Sequence, residues 1–266
     1  MSPVRLAATV ILARPEFELY LTRRSTRSAF APNAFVFPGG TIDAQDAAPE
    51  VQERAIGLDP ARLAREFRAT VSPELVSTEP PIGVGSARAL LVAAIRELFE
   101  EAGILFACTA AGRPIEVQSS EWSDVAQERA RVTNGDLSFA EFLATRDWYA
   151  DARGLTLFSH WITPPSEPRR YNTHFFFAVA PPDQAALADA FETHDGIWIA
   201  PRLALERFAR GDLHLVYPTI KHLQRLAAFD SVEAASRFAQ TKPVVTIMPH
   251  DAGEDFEIPA GLEATW

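Results

Sequence analysis

The chain has 266 residues, 47% of them hydrophobic, enough to bury a substantial core in one large or two small domains. Its formal net charge is −10 with no block of lysine or arginine, which argues against an extended nucleic-acid surface, and its single cysteine, Cys108, excludes an internal disulfide framework and a cysteine-built zinc site. The apolar run at the start is too short for a membrane span and Ala264-Thr265-Trp266 is not a peroxisomal address, so the expected location is cytoplasmic, with no membrane partner.

Leu6 to Ala13 and Phe17 to Thr22 are β-prone runs around the turn-like Arg14-Pro15-Glu16, which predicts a hairpin. Arg23 and Arg24 follow; they are either polar strand-end residues or bidentate donors to a phosphate in a cleft. Ala34 to Pro38 then leads into Gly39-Gly40. Residues 44–85 carry their own helix signal, with Asp59 as N-cap, Pro60 in the first turn and Leu63 and Phe67 four apart. Pro80-Pro81 and two glycines predict a loop that returns the chain from this helical appendage, which is expected to shape one wall of the active-site cleft.

Ser86 is a suitable N-cap, and Ala87 to Ala102 predicts one helix that exits through Gly103 in the left-handed conformation. Leu91, Ile95, Leu98 and Ala102 form its apolar stripe. Glu97, Glu100 and Glu101 share another face, where like charges three and four residues apart destabilise by roughly 0.2–0.5 kcal/mol per pair. The residues alone leave two readings: a solvated acidic face, or a site for a hard divalent cation with carboxylate ligands.

Past Gly103 the spacing predicts a strand from Ile104 to Cys108, with Cys108 as a small buried residue, and a helix over 120–132. Ser138 and Glu141 form a capping box, with Leu137 and Phe142 as its hydrophobic staple. Leu155 to Thr163 and Thr173 to Ala180 read as strands joined by a loop carrying Arg169 and Arg170, either solvent-exposed or directed at a substrate phosphate. The acidic segment Phe191 to Gly196 offers Glu192 and Asp195, whereas His194 reads as structural. Ile197 to Ile199 predicts a strand, Pro201 to Arg210 a helix closed by Gly211, and Pro218 to about Gln240 a last helical region.

Arg96-Glu97-Leu98-Phe99-Glu100-Glu101-Ala102-Gly103-Ile104 resembles the helical half of the Nudix box, and Phe37-Pro38-Gly39-Gly40 resembles its entry. Gly40 and Arg96 are 56 positions apart, about four times the spacing of an uninterrupted box, so the box is split. Asp46 stands where the family usually has Glu, and Arg88 fills the slot counted back from the helix. With Leu21-Thr22-Arg23-Arg24-Ser25 and Trp161-Ile162-Thr163-Pro164 followed by Arg169-Arg170-Tyr171-Asn172-Thr173, the chain is similar to the split-box branch that includes peroxisomal acyl-coenzyme A diphosphatases; Asn172 replaces an Asp there.

The resemblance implies an α/β Nudix fold, a mixed β-sheet sandwiched between α-helices, forming a single domain over 1–266 with a helical insertion at 44–85 inside the box and a further helical region at 119–147. It implies hydrolysis of a diphosphate in a small-molecule substrate, most simply coenzyme A or an acyl-coenzyme A, with Mg2+ or Mn2+ held by Glu97 and Glu101 and by Glu100 directly or through water. Glu100, Asp195 or Glu192 would accept the water proton, Arg96 would hold a box glutamate in place, and Arg23, Arg24, Gly39, Gly40 and Arg170 would meet substrate. Two alternatives share these residues: a Nudix hydrolase of another nucleoside diphosphate derivative, and a non-catalytic nucleotide sensor.

Overall fold

The structure is a computed structural model that describes residues 4–26, 31–68, 81–115, 117, 120–181, 184, 196–252, 255–263 and 266. Its centre is Val4–Ala13 (β1), which lies between two cores. Side chains alternate across a strand, so Ala8, Val10 and Leu12 enter one core while Ile11 and Ala13 enter the other. A strand covered on both faces reads as a continuous apolar run, which is why this segment looks uniformly hydrophobic.

On one edge β1 runs antiparallel to Leu19–Arg23 (β2), closing the expected hairpin; Phe35–Val36 (β3) pairs with β2, and Gly39–Thr41 (β4) with β1. Three short strands, Ala55–Ile56 (β5), Ala107–Cys108 (β6) and Tyr149–Asp151 (β7), make a separate small sheet. On the other edge β1 runs parallel to Arg170–Val179 (β9), in register from Val4 opposite Arg170 to Ala13 opposite Val179. Thr156–Ile162 (β8), Gly196–Ile199 (β10) and Thr246–Ile247 (β11) complete the sheet in the order β10-β2-β1-β9-β8-β11. A hairpin of His250–Ala252 (β12) and Asp255–Glu257 (β13) stands apart.

One face is covered by Pro49–Gln52 (α1), Pro60–Arg68 (α2), Val84–Ala102 (α3), Trp122–Thr133 (α4) and Phe139–Thr145 (α5), the other by Pro201–Ala209 (α6), Tyr217–Leu226 (α7) and Val232–Thr241 (α8). The mixed sheet between helices is the architecture expected. Helix α3 packs on β1 and β4, and the helices of the insertion and of 122–145 pack on α3. Beyond the predicted stripe, Leu90, Val92, Ala93, Ala94 and Phe99 are also buried, because α3 is enclosed by both layers. The predicted cap chemistry holds at α2, where Asp59 accepts from the Arg62 N–H at 2.7 Å, and at α5, where Ser138 and Glu141 complete the capping box. Phe99 stacks on Phe142 with ring centroids 4.8 Å apart, fixing α5 to α3.

Several boundaries differ. Helix α3 begins at Val84 after Gly83 in extended conformation, placing Ser86 inside the first turn rather than at the cap. The strand after Gly103 is only Ala107–Cys108, and the predicted last helical region is two helices, the second capped by Ser231. The insertion is expected to shape one wall of the cleft, and its residues 69–80 lie outside the described ones. Val51, Leu58, Leu63 and Phe67 enter the core beside α3, and Phe67 packs on His174 and Phe176. Its described residues back the box helix instead of lining the cleft, because that is where their apolar surface finds cover.

Gly103 ends α3 at φ 70°, as predicted, and Arg129 on α4 donates to the otherwise orphaned carbonyl of Glu100 at 2.8 and 3.1 Å. Gly103→Ala is expected to cost about 1–2 kcal/mol, the penalty of a left-handed residue with a Cβ. Urea unfolding measures it; unchanged stability would contradict this termination.

Candidate active site

The box helix meets the Gly39-Gly40 turn because both glycines lack a side chain where space is absent. A Cβ on Gly39 would lie 2.3 Å from the Ala8 carbonyl oxygen, and one on Gly40 would lie 2.3 Å from Glu97 Oε1. The turn therefore lies against β1 on one side and Glu97 on the other. The Gly39 N–H donates to Glu101 Oε2 at 3.0 Å, tying the two halves of the split box together.

Arg96, only 2% exposed, organises the other side of the helix. Its Nε and Nη2 donate to Asp46 Oδ1 and Oδ2 at 2.8 and 3.0 Å, a bidentate pair with a carboxylate that is itself fully buried. Its Nη1 donates to Glu97 at 2.9 Å and Glu100 at 3.1 Å. Burial opposes the guanidinium charge, but the Asp46 hydrogen bonds and the nearby carboxylates raise its pKa above the ordinary value. Arg96 thus contacts Asp46 and two box glutamates at once. Asp46 is the residue that the sequence reading left without a role. Its place in the box pattern was visible, but the pairing depends on the turn Ala44–Ala47, where Asp46 also accepts from the Asp43 N–H at 2.8 Å.

The carboxylates face a cleft of about 470 Å³ lined by Glu97, Glu101, Gly39, Gly40, Arg5 and Arg24, with Thr163, Tyr171 and Thr173 across from them on the sheet. Burial drives Glu97 up to about 7, with Glu100 adding to the shift and Arg96 opposing it. Burial, with repulsion from Glu97, likewise raises Glu101 to about 7 against the Gly39 hydrogen bond. Glu100 is raised too, by burial, but it is bound to Arg96 and does not line the cleft.

Of the other expected contacts, Arg24 lines the cleft and acts electrostatically on Glu101, whereas Arg23 is exposed at the strand end outside the lining. Arg170 is not on a loop. It opens β9, is 6% exposed and donates to the Thr163 carbonyl at 3.0 Å, so it supports the cleft wall from behind. Asn172 Oδ1 accepts from Nε2 of the buried His160 at 2.6 Å, a neutral pairing for the position where the branch has Asp. Arg5, which lines the cleft and donates to Thr41 Oγ1 at 2.9 Å, carried no local sequence signal. Glu192, His194 and Asp195 lie outside the described residues.

Among the described residues no group of three His, Cys, Asp or Glu side chains is arranged to hold a metal ion. Glu97 and Glu101, two half-buried carboxylates facing one cleft, still offer the all-oxygen donors a hard cation takes. Arg96→Met is expected to lower stability by about 3–5 kcal/mol, because it strands the buried Asp46 carboxylate. A denaturant melt checks this; a loss below about 1 kcal/mol would mean that Asp46 finds another partner.

The family described as NUDT19 Nudix domain matches residues 2–226. Acyl-coenzyme A diphosphatase NUDT19 of Gallus gallus is 29% identical over 256 residues, covering 85% of this chain, which spans only 65% of that relative's length. The Homo sapiens protein of the same name is 29% identical over 271 residues, covering 88% of this chain and 71% of that one. Putative nudix hydrolase 7 of Caenorhabditis elegans is 26% identical over 250 residues, covering 92% and 68%. The crystal structure of a NUDIX hydrolase from Alicyclobacillus acidocaldarius superposes with a TM-score of 0.58 at 24% identity, covering 89% of this chain and 97% of that one, which supports the fold. Since the match runs through both halves of the split box and the sheet between its helices, the chain belongs to the NUDT19 Nudix domain family.

Proposed function

We propose that the chain is a divalent-metal-dependent diphosphate hydrolase that cuts coenzyme A or an acyl-coenzyme A within its diphosphate, giving adenosine 3′,5′-bisphosphate and (acyl-)phosphopantetheine. The observation that carries this reading is the cleft itself, where Glu97 and Glu101 stand beside Arg5 and Arg24. A pair of carboxylates for the cation, with the remaining positions left to water and substrate phosphate, is how Mg2+ is commonly held. Bound there, Mg2+ or Mn2+ supplies charge neutralisation and a more acidic water. The coenzyme A substrate class comes from the names of the relatives, taken together with the arginines available for phosphate.

The chain's own groups divide the remaining work. Arg5 and Arg24 attract the anionic diphosphate, Arg96 orients Glu97, and the glycines keep the turn close to both ligands. Glu100 is the weaker proton acceptor because Arg96 already holds it. Asp195 or Glu192 is the better one: Gly196, the residue after Asp195, pairs with Thr22, two residues before Arg24 of the cleft. Glu97→Gln and Glu101→Gln are each expected to lower kcat about a hundredfold or more with the melting temperature retained, since each removes a ligand charge without a core contact. The assay is a panel of coenzyme A, acyl-coenzyme A, NADH, ADP-ribose and nucleotides with products identified by mass. Wild-type turnover by either variant at limiting Mg2+ would remove the metal assignment.

A pH dependence follows. In the metal-free folded protein Glu97 and Glu101 hold their protons up to about 7, against an ordinary value of 4.5. Between those values the folded state binds more protons than the unfolded one, so the stability contributed by these groups falls as pH rises through the window. A cation must displace those protons. The rise in melting temperature on adding Mg2+ is therefore expected to be small at about pH 5 and large at about pH 8. A rise that does not change with pH would place the cation elsewhere.

A further inference from the structure

A second cavity, of about 440 Å³, opens beside the first and shares Thr163, Thr173, Phe175, Val216 and Pro218 with it. Its chemistry differs. The first has Glu97 and Glu101 on one wall and Arg5 and Arg24 near them; the second is walled mainly by Trp161, Phe208, Leu215, Tyr217, Ile220 and Phe256. Among its described lining residues there is no Arg or Lys, and the one carboxylate is Glu167.

A diphosphate bridging two different groups would be divided between these spaces by charge. One side of coenzyme A carries a further phosphate on its ribose, and burying that dianion against aromatic walls and a carboxylate, with no Arg or Lys to pair it, is strongly unfavourable. The other side is an uncharged arm with a branched apolar segment, two amides and a thiol or thioester. It suits apolar walls. We infer that the second cavity receives the pantetheine arm, with the adenosine 3′-phosphate half directed along the first cleft toward Arg5 and Arg24. This rests on the diphosphatase reading above and adds the orientation of the substrate, which the carboxylates alone do not define.

The two products serve as probes. With Mg2+ present, 4′-phosphopantetheine and adenosine 3′,5′-bisphosphate are titrated calorimetrically into wild type, Ile220→Trp and Phe208→Asp, and coenzyme A hydrolysis is measured on the same samples. Ile220→Trp fills the cavity, and Phe208→Asp charges its rim at a residue that is 37% exposed, so the fold tolerates the change. Each is expected to weaken 4′-phosphopantetheine about tenfold or more while adenosine 3′,5′-bisphosphate stays within about threefold. For coenzyme A the same two variants raise KM more than they lower kcat. Weakened adenosine 3′,5′-bisphosphate with unchanged 4′-phosphopantetheine overturns the orientation, as does no binding of 4′-phosphopantetheine to wild type, or equal affinities throughout while wild type cleaves coenzyme A. If wild type cleaves no coenzyme A or acyl-coenzyme A, the diphosphatase reading fails and the orientation falls with it.

Discussion

The ion pair between Arg96 and Asp46 is the constraint on which the site depends. Removing two charges from water costs several kcal/mol per ion unless the geometry and the remaining hydrogen bonds offset it. Here both Asp46 oxygens are used, Oδ1 by Nε and Oδ2 by Nη2 and the Asp43 N–H. The guanidinium plane is thereby fixed, and Nη1 is left facing Glu97 and Glu100. The orientation of a cleft carboxylate is thus inherited, through Arg96, from a residue 50 positions before that arginine, at the start of the insertion. An insertion is compatible with the box because this pair, and the Gly39 to Glu101 hydrogen bond, close the break in space.

Charge is distributed to suit an anionic ligand despite the net charge of −10. The cleft gathers Arg5 and Arg24 beside two carboxylates whose protons burial retains, so without a cation the site is less negative than its formula suggests. The adjoining apolar cavity has no Arg or Lys among its described lining residues. This difference in polarity between two adjoining cavities is what the inferred orientation rests on, since the box residues by themselves do not define one.

The legible parts of the chain were those with local causes. The box helix announced itself by a repeating apolar stripe and a terminating Gly103, and α5 by a capping box. What stayed hidden was decided by tertiary partners. Ser86 has the chemistry of a cap, yet packing extends α3 back to Val84; Arg170 reads as a loop cation, yet pairing with Val4 draws it into a strand. Arg5 precedes the apolar run of β1 by one residue and gains meaning only when β4 and α3 close over that strand. The strands β5, β6 and β7 are two or three residues long, too short for alternation to show. The insertion was readable as helical from Asp59, Leu63 and Phe67, but the surface it would cover was not.

The parallel pairing of β1 with β9 also shapes how the molecule is assembled in time. Val4 opposite Arg170 joins residues 166 positions apart, so the innermost strand of the sheet lacks one neighbour until well over half of the chain exists. Long-range parallel pairing of this kind slows folding, because loop closure must precede the contacts that reward it. During synthesis the early hairpin β1–β2 and the box helix are present with an open strand edge between them. That interval, rather than the finished protein, is when this sequence is most exposed to pairing with another chain.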